Sequence, residues 1–177
     1  MGWFSPVKGS YPSLAQVDKT LPVTENVTAI ERGTIVALGS GDDGNPVWKL
    51  PNGSSDKLLY VALQDYSDPT AGYAGTAFDP KGGVPAITGI DLAQDGEYET
   101  SVYNDDATYA IGDPLQANSN GVLTKATEGN YVVGYVTATP FQRWVNNAIA
   151  TPPGMTDQRL AYRTGATKRV IRFKTAV

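Results

Sequence analysis

Four carboxylates, Asp91, Asp95, Glu97 and Glu99, form the densest group of chemically capable side chains in the sequence, with Gly96 among them. Oxygen ligands so close together could hold a hard cation such as calcium, and Asp91-x-x-x-Asp95-Gly96 has the spacing of part of an EF-hand loop. That loop is incomplete: Ala93 stands at the second ligand position and Val102 where the bidentate Glu belongs. On a strand, Asp95, Glu97 and Glu99 share one face, because side chains alternate. The expectation is therefore no metal and an acidic face that is either solvated or waiting for the basic residues of the C-terminus. Gly39-Ser40-Gly41-Asp42-Asp43-Gly44 has the glycine spacing of a dinucleotide loop. Asp42 and Asp43 would repel a pyrophosphate, however, and Asn45-Pro46-Val47-Trp48 opens a strand where that loop needs a helix. Nothing in the spacing of the 18 acids selects a glycosidase pair.

The sequence has no histidine and no cysteine. Their absence excludes Ser-His-Asp and Cys-His catalysis, disulfides and Cys-ligated metal sites. An enzyme would have to work with carboxylates, Lys, Tyr or Ser alone, and the reading is a non-enzymatic protein without a cofactor. Trp48, Tyr60, Tyr66 and Tyr73 could make a sugar-stacking platform, although core or interface is the expected place for them. No basic segment followed by an apolar one marks a secretory signal, and no stretch approaches the length of a membrane span. Synthesis in the cytoplasm, with no membrane partner, is expected.

Charge is unevenly distributed. Residues 1–142 carry 17 acids against 7 bases, whereas residues 143–177 carry 7 bases against Asp157 alone. Arg143, Arg159, Arg163, Lys168, Arg169 and Arg172 form a basic C-terminal patch that is either solvated or docked on an acidic partner or on the acidic face of a neighbouring copy. Nucleic acid is not expected, because the acidic remainder would repel phosphate.

The elements that position these groups are short strands. Charged residues make up only 18% of the chain, against 19 glycines and 12 prolines, a balance that favours strands and tight turns over helices. Residues 1–22, punctuated by Pro6, Pro12 and Pro22, read as an extended arm that could reach about 70 Å. Its Trp3, Phe4 and Tyr11 are then expected to anchor on other subunits. The body, 23–177, opens with the strand Thr34–Leu38, followed by Val47–Leu50 and the apolar run Lys57–Gln64, a buried central strand. Residues 65–85 form a long loop carrying Tyr66, Tyr73 and Phe78, and loops of that length tend to be functional. Asp95-Gly96 predicts a hairpin joining Ile87–Leu92 to Tyr98–Tyr103, and Asn120-Gly121 predicts one joining Leu115–Ala117 to Val122–Lys125. Tyr131–Thr139 is a further core strand, 141–150 has fair helical spacing with a strand or turn as the alternative, and 159–164 with 169–175 reads as a final strand pair. About ten short strands with frequent turns define an all-β barrel or sandwich with little helix.

Three segments resemble the head-decoration (cement) proteins of tailed bacteriophages: Thr108–Leu115, Asn120–Lys125 and Gly129–Val136. In that family a "GD-polar" strand leads to an "N-G-x-L-T" hairpin and on to a "vvG-x-v" strand. Ile30–Leu38 is similar to their opening strand. The acidic stretch 65–106 and the basic tail depart from the pattern. The resemblance implies a small β-barrel protein on the capsid exterior that clamps adjacent subunits of the major capsid protein. It also implies self-association, with a trimer favoured over a dimer. A receptor- or carbohydrate-binding module of a tail or fibre, using Tyr66, Tyr73 and Phe78, is the alternative.

Overall fold

The computed structural model describes residues 2, 4–8, 17–24, 26–53, 55–67, 86–144, 149–150, 162–163 and 167–176. Among them every regular element is a strand. In order these are β1 (Phe4–Lys8), β2 (Val17–Pro22), β3 (Ala29–Ile30), β4 (Ile35–Ser40), β5 (Pro46–Lys49), β6 (Leu59–Ala62), β7 (Tyr66–Ser67) and β8 (Ala86–Asp91). They continue with β9 (Glu97–Thr100), β10 (Pro114–Ala117), β11 (Leu123–Lys125), β12 (Gly134–Trp144), β13 (Ile149–Ala150), β14 (Tyr162–Arg163) and β15 (Thr167–Thr175). Antiparallel pairing builds a six-stranded sheet in the order β1-β9-β15-β12-β10-β11 and a five-stranded sheet in the order β2-β8-β6-β4-β5. β3–β7 and β13–β14 form two small pairs. The arrangement is a sandwich and not a closed barrel.

Side-chain alternation explains why the five-stranded sheet is apolar on both faces. Ile35, Ala37, Leu59, Val61 and Ile90 face the six-stranded sheet and meet Leu115, Val136, Ile171 and Phe173 there. The intervening Val36, Tyr60, Ala62 and Ile87 face the other way, with Trp48, beneath Val23, Val27, Ile30 and Tyr66. A strand buried on both faces reads as a continuous apolar run, and β6, the centre of this sheet, is that run. Gly89 makes room for the Trp48 ring, since a Cβ there would lie 2.8 Å from it, and the indole N–H donates to the Ile87 carbonyl at 2.8 Å. The sheet also curls: Val23, just past β2, bridges Trp48 of β5 at the opposite edge.

The predicted β10–β11 hairpin is present, with Ala117 opposite Leu123. Its tip ties the two sheets together. Gly121, at φ +73°, accepts a hydrogen bond from the Ile35 N–H at 2.8 Å, and a Cβ there would strike the Ile35 carbonyl oxygen.

Four expectations are corrected. Residues 4–8 and 17–22, expected within an extended arm, are strands of the body: β1 is an edge strand of one sheet and β2 of the other. For the same reason Asp95-Gly96 is not a hairpin turn. β8 pairs with β2 and β6, β9 with β1 and β15, so the N-terminal strands occupy hydrogen-bonding positions that a local hairpin would use. The Asp95-Gly96 segment instead crosses between sheets, clamped by Thr175, whose hydroxyl accepts from Gly96 N–H at 3.0 Å and donates to Gln94 O at 2.7 Å. Residues 141–144 continue β12 as strand, because they pair with 167–170 of β15. The final strands do not pair with each other: β15 lies between β12 and β9, and β14 pairs with β13. Of the long loop, Tyr66 and Ser67 form β7; residues 68–85 lie outside the described residues.

Candidate functional site

The acidic and basic halves of the sequence meet on the outer face of the six-stranded sheet. Register places Glu97 opposite Lys174 and Glu99 opposite Arg172, with β12 on the far side of β15. Glu99 is 0% exposed, and its two oxygens are both engaged. Arg172 donates from Nε at 3.0 Å and from a terminal nitrogen at 2.6 Å to Oε1, while Arg143 donates from Nε at 2.9 Å to Oε2. Both guanidinium groups also lie over the Phe141 ring, at 5.5 and 6.0 Å from its centroid. A buried carboxylate requires such pairing, since its desolvation is otherwise uncompensated. Around this centre, Thr137 donates to Glu97 at 2.6 Å, Lys174 pairs with Asp95 at 3.2 Å and Arg169 with Asp105 at 2.9 Å.

Asp91, Asp95, Glu97 and Glu99 therefore do not form an acidic face awaiting a partner. Asp91 accepts from the Ala93 N–H, and the other three are engaged by β12 and β15. The basic patch is neutralised by the same contacts at Arg143, Arg169 and Arg172. Lys168 lies opposite Arg143 in the β12–β15 register, and Arg163 opposite Ile149. Arg159 lies outside the described residues, as do Trp3 and Tyr11. Phe4 is 1% exposed and stacks on Tyr98 at 5.2 Å, inside its own core; it is not an anchor for another subunit. Trp48, Tyr60 and Tyr66 are also core residues, which removes them from a sugar platform. Among the described residues no group of three or more Asp or Glu is placed to hold a metal ion.

Three exposed apolar residues escaped the sequence reading; one of them, Leu58, is 59% exposed at the start of the run expected to be a buried strand. Ile111 is 73% exposed and Tyr135 46%. Gly112 N–H donates to Val136 O at 2.8 Å and Pro114 pairs with Tyr135, so the turn carrying Ile111 lies against the end of β12 that carries Tyr135. The signal was present in an isoleucine directly before Gly112-Asp113-Pro114, a turn in which an apolar side chain has no strand to bury it.

A tyrosine cluster lies at the edge of the same sheet. Tyr103 donates to Asp105 at 2.9 Å and Tyr109 to Asn104 O at 2.8 Å, with the rings edge to face. Burial raises the hydroxyl pKa of Tyr98, Tyr103 and Tyr109, and at Tyr103 the hydrogen bond to Asp105 raises it further. A group whose folded pKa is raised stabilises the fold fully below its unfolded value, about 10 for tyrosine, and loses that contribution as pH climbs beyond it. Urea unfolding midpoints should accordingly fall above about pH 10, and these three tyrosines should ionise only as the fold opens. Ionisation of every tyrosine at its ordinary value, with the fold intact, would contradict this.

A comparison with protein-family models, with curated proteins and with solved structures finds no match to this chain. What fold and site define is a class: a β-sandwich whose strongest polar cluster ties its own strands together, with an apolar pair left facing solvent.

Proposed function

We propose that this chain is a structural, non-catalytic protein of a tailed-bacteriophage particle. It binds the outer surface of the capsid and clamps adjacent subunits of the major capsid protein, and it self-associates in doing so. One observation carries the reading: Ile111 and Tyr135 are exposed at one end of β12, in the segments 108–115 and 129–136 that resemble decoration proteins. Apolar residues of this kind, ringed by polar groups, are the ordinary anchors of a protein–protein contact. Asp113 and Lys125, paired at 2.8 Å, supply part of that rim. Phe4 does not support the reading, since it belongs to the core. A receptor- or carbohydrate-binding role would now rest on Tyr73 and Phe78, which lie outside the described residues.

The test is to mix the purified protein with undecorated shells from the same source and image them. The expected result is a coated shell, and loss of the coat in the double variant Ile111→Ser/Tyr135→Ala. Both sites are exposed, so unfolding free energy should change by no more than about 0.5 kcal/mol. A stable variant that coats shells as well as the parent would remove Ile111 and Tyr135 from the contact. Parent protein that leaves shells bare would sink the proposal.

A further inference from the structure

The chain holds two Asn-Gly pairs in turns, Asn52-Gly53 and Asn120-Gly121, and the fold treats them in opposite ways. An asparagine followed by glycine is open to attack on itself. The glycine amide nitrogen, losing its proton, adds to the side-chain carboxamide carbon; the new N–C bond closes a succinimide and the C–N bond to the amide nitrogen breaks, releasing ammonia. Water then opens the ring at either carbonyl, leaving an aspartyl or an isoaspartyl residue. No oxidant or other reactant is needed. The step does require a glycine N–H free of other partners and a backbone able to swing toward the side chain.

At Asn120-Gly121 both requirements fail. Gly121 N–H donates to Asn118 O at 2.9 Å, and Asn120 N–H donates to Asn118 Oδ1 at 2.9 Å. Gly121 is itself buried, its carbonyl holding Ile35 N–H, and a Cβ on it would strike the Ile35 carbonyl oxygen. The pair is locked between the two sheets.

At Asn52-Gly53 the first is met and the second is restricted less than at Asn120-Gly121. Asn52 is exposed, no described residue accepts from Gly53 N–H, and nothing lies within 4 Å of where a Gly53 Cβ would be. The turn is held from its flanks: Asn52 N–H donates to Asp56 at 2.6 Å, and Asn52 O accepts from Ser55 N–H at 3.0 Å. We infer that Asn52 is a site of spontaneous deamidation in the folded protein, whereas Asn120 is protected by the fold. The product carries a new carboxylate beside Asp56, which already holds Lys49 at 3.0 Å, and in the isoaspartyl form the main chain is one carbon longer. The clasp between Asn52 and Asp56 is thereby weakened, and the molecule becomes more acidic with age.

Peptide mapping by mass spectrometry during incubation of the full chain at mildly alkaline pH tests this, with a urea-unfolded sample in parallel. In folded protein, conversion at position 52 should run at least about tenfold faster than at position 120, which reacts only from locally opened molecules. In urea the two rates should converge. Conversion at position 120 as fast as at 52 in the folded chain would overturn the inference. So would an unchanged Asn52 over a period in which the unfolded chain is converted at both positions.

Discussion

Phe4→Ala should lower the free energy of unfolding by about 3–5 kcal/mol, the range for removing a fully buried aromatic side chain. The phenyl ring is almost wholly buried, stacks on Tyr98, which in turn meets Phe173 at 5.9 Å, and belongs to the cluster that joins the two sheets. Its carbonyl also accepts from Arg32 at 3.0 Å, so loosening the ring loosens a tie to the turn before β4. Among the described residues β1 pairs with β9 alone, and this residue ties the strand to the core. Equilibrium urea unfolding measures the effect directly. A change below about 0.5 kcal/mol, the size expected at an exposed position, would mean that the ring lies outside the core and that the N-terminal strand is available to partners after all. For the same reason, deleting residues 1–22 is a poor test of capsid binding, since the body would lose a strand from each sheet.

The second large effect is at Arg172. Arg172→Met should cost about 3 kcal/mol or more, because it leaves the buried Glu99 carboxylate with Arg143 as its one cationic partner among the described residues, and breaking a buried ion pair is strongly destabilising. Glu99→Gln should cost less, since the amide keeps an oxygen acceptor and no charge is stranded inside; both arginines are partly exposed and reach water. Joint replacement, Glu99→Leu with Arg172→Met, should recover much of the loss, because an apolar pair of similar volume removes the desolvation problem. The loss in Arg172→Met should also depend little on salt, as buried pairs are poorly screened. Measured unfolding free energies in the order parent, Glu99→Gln, Arg172→Met would bear this out. The reverse order for the two single variants would show that Glu99 is not buried as a charge.

The strands themselves were legible. β4, β5, β6, β10, β11 and most of β12 follow from apolar alternation, from the continuous run 58–63 and from Asn120-Gly121, because these signals act within a few residues of one another. Pairing was less legible. Asp95-Gly96 carries a hairpin signal, yet β8 and β9 each bond to strands from the distant N-terminus, and local turn chemistry holds no information about that competition. The charges show the same limit. The acidic stretch and the basic tail were both visible, and so was the idea that they attract. Whether they meet between copies or within one chain depends on β15 lying beside β9, with Arg172 opposite Glu99.

By itself, then, the sequence determined the all-β class and the absence of histidine and cysteine chemistry. Those properties depend on residue type and on spacings of a few positions. Only the tertiary structure decided that Phe4 lies inside, that Glu99 is buried between arginines, that Ile111 and Tyr135 share one end of β12, and that one Asn-Gly turn is locked while the other is open. Each of these depends on which distant strands pair, and burial and hydrogen bonding are properties of that pairing, not of any local run of residues.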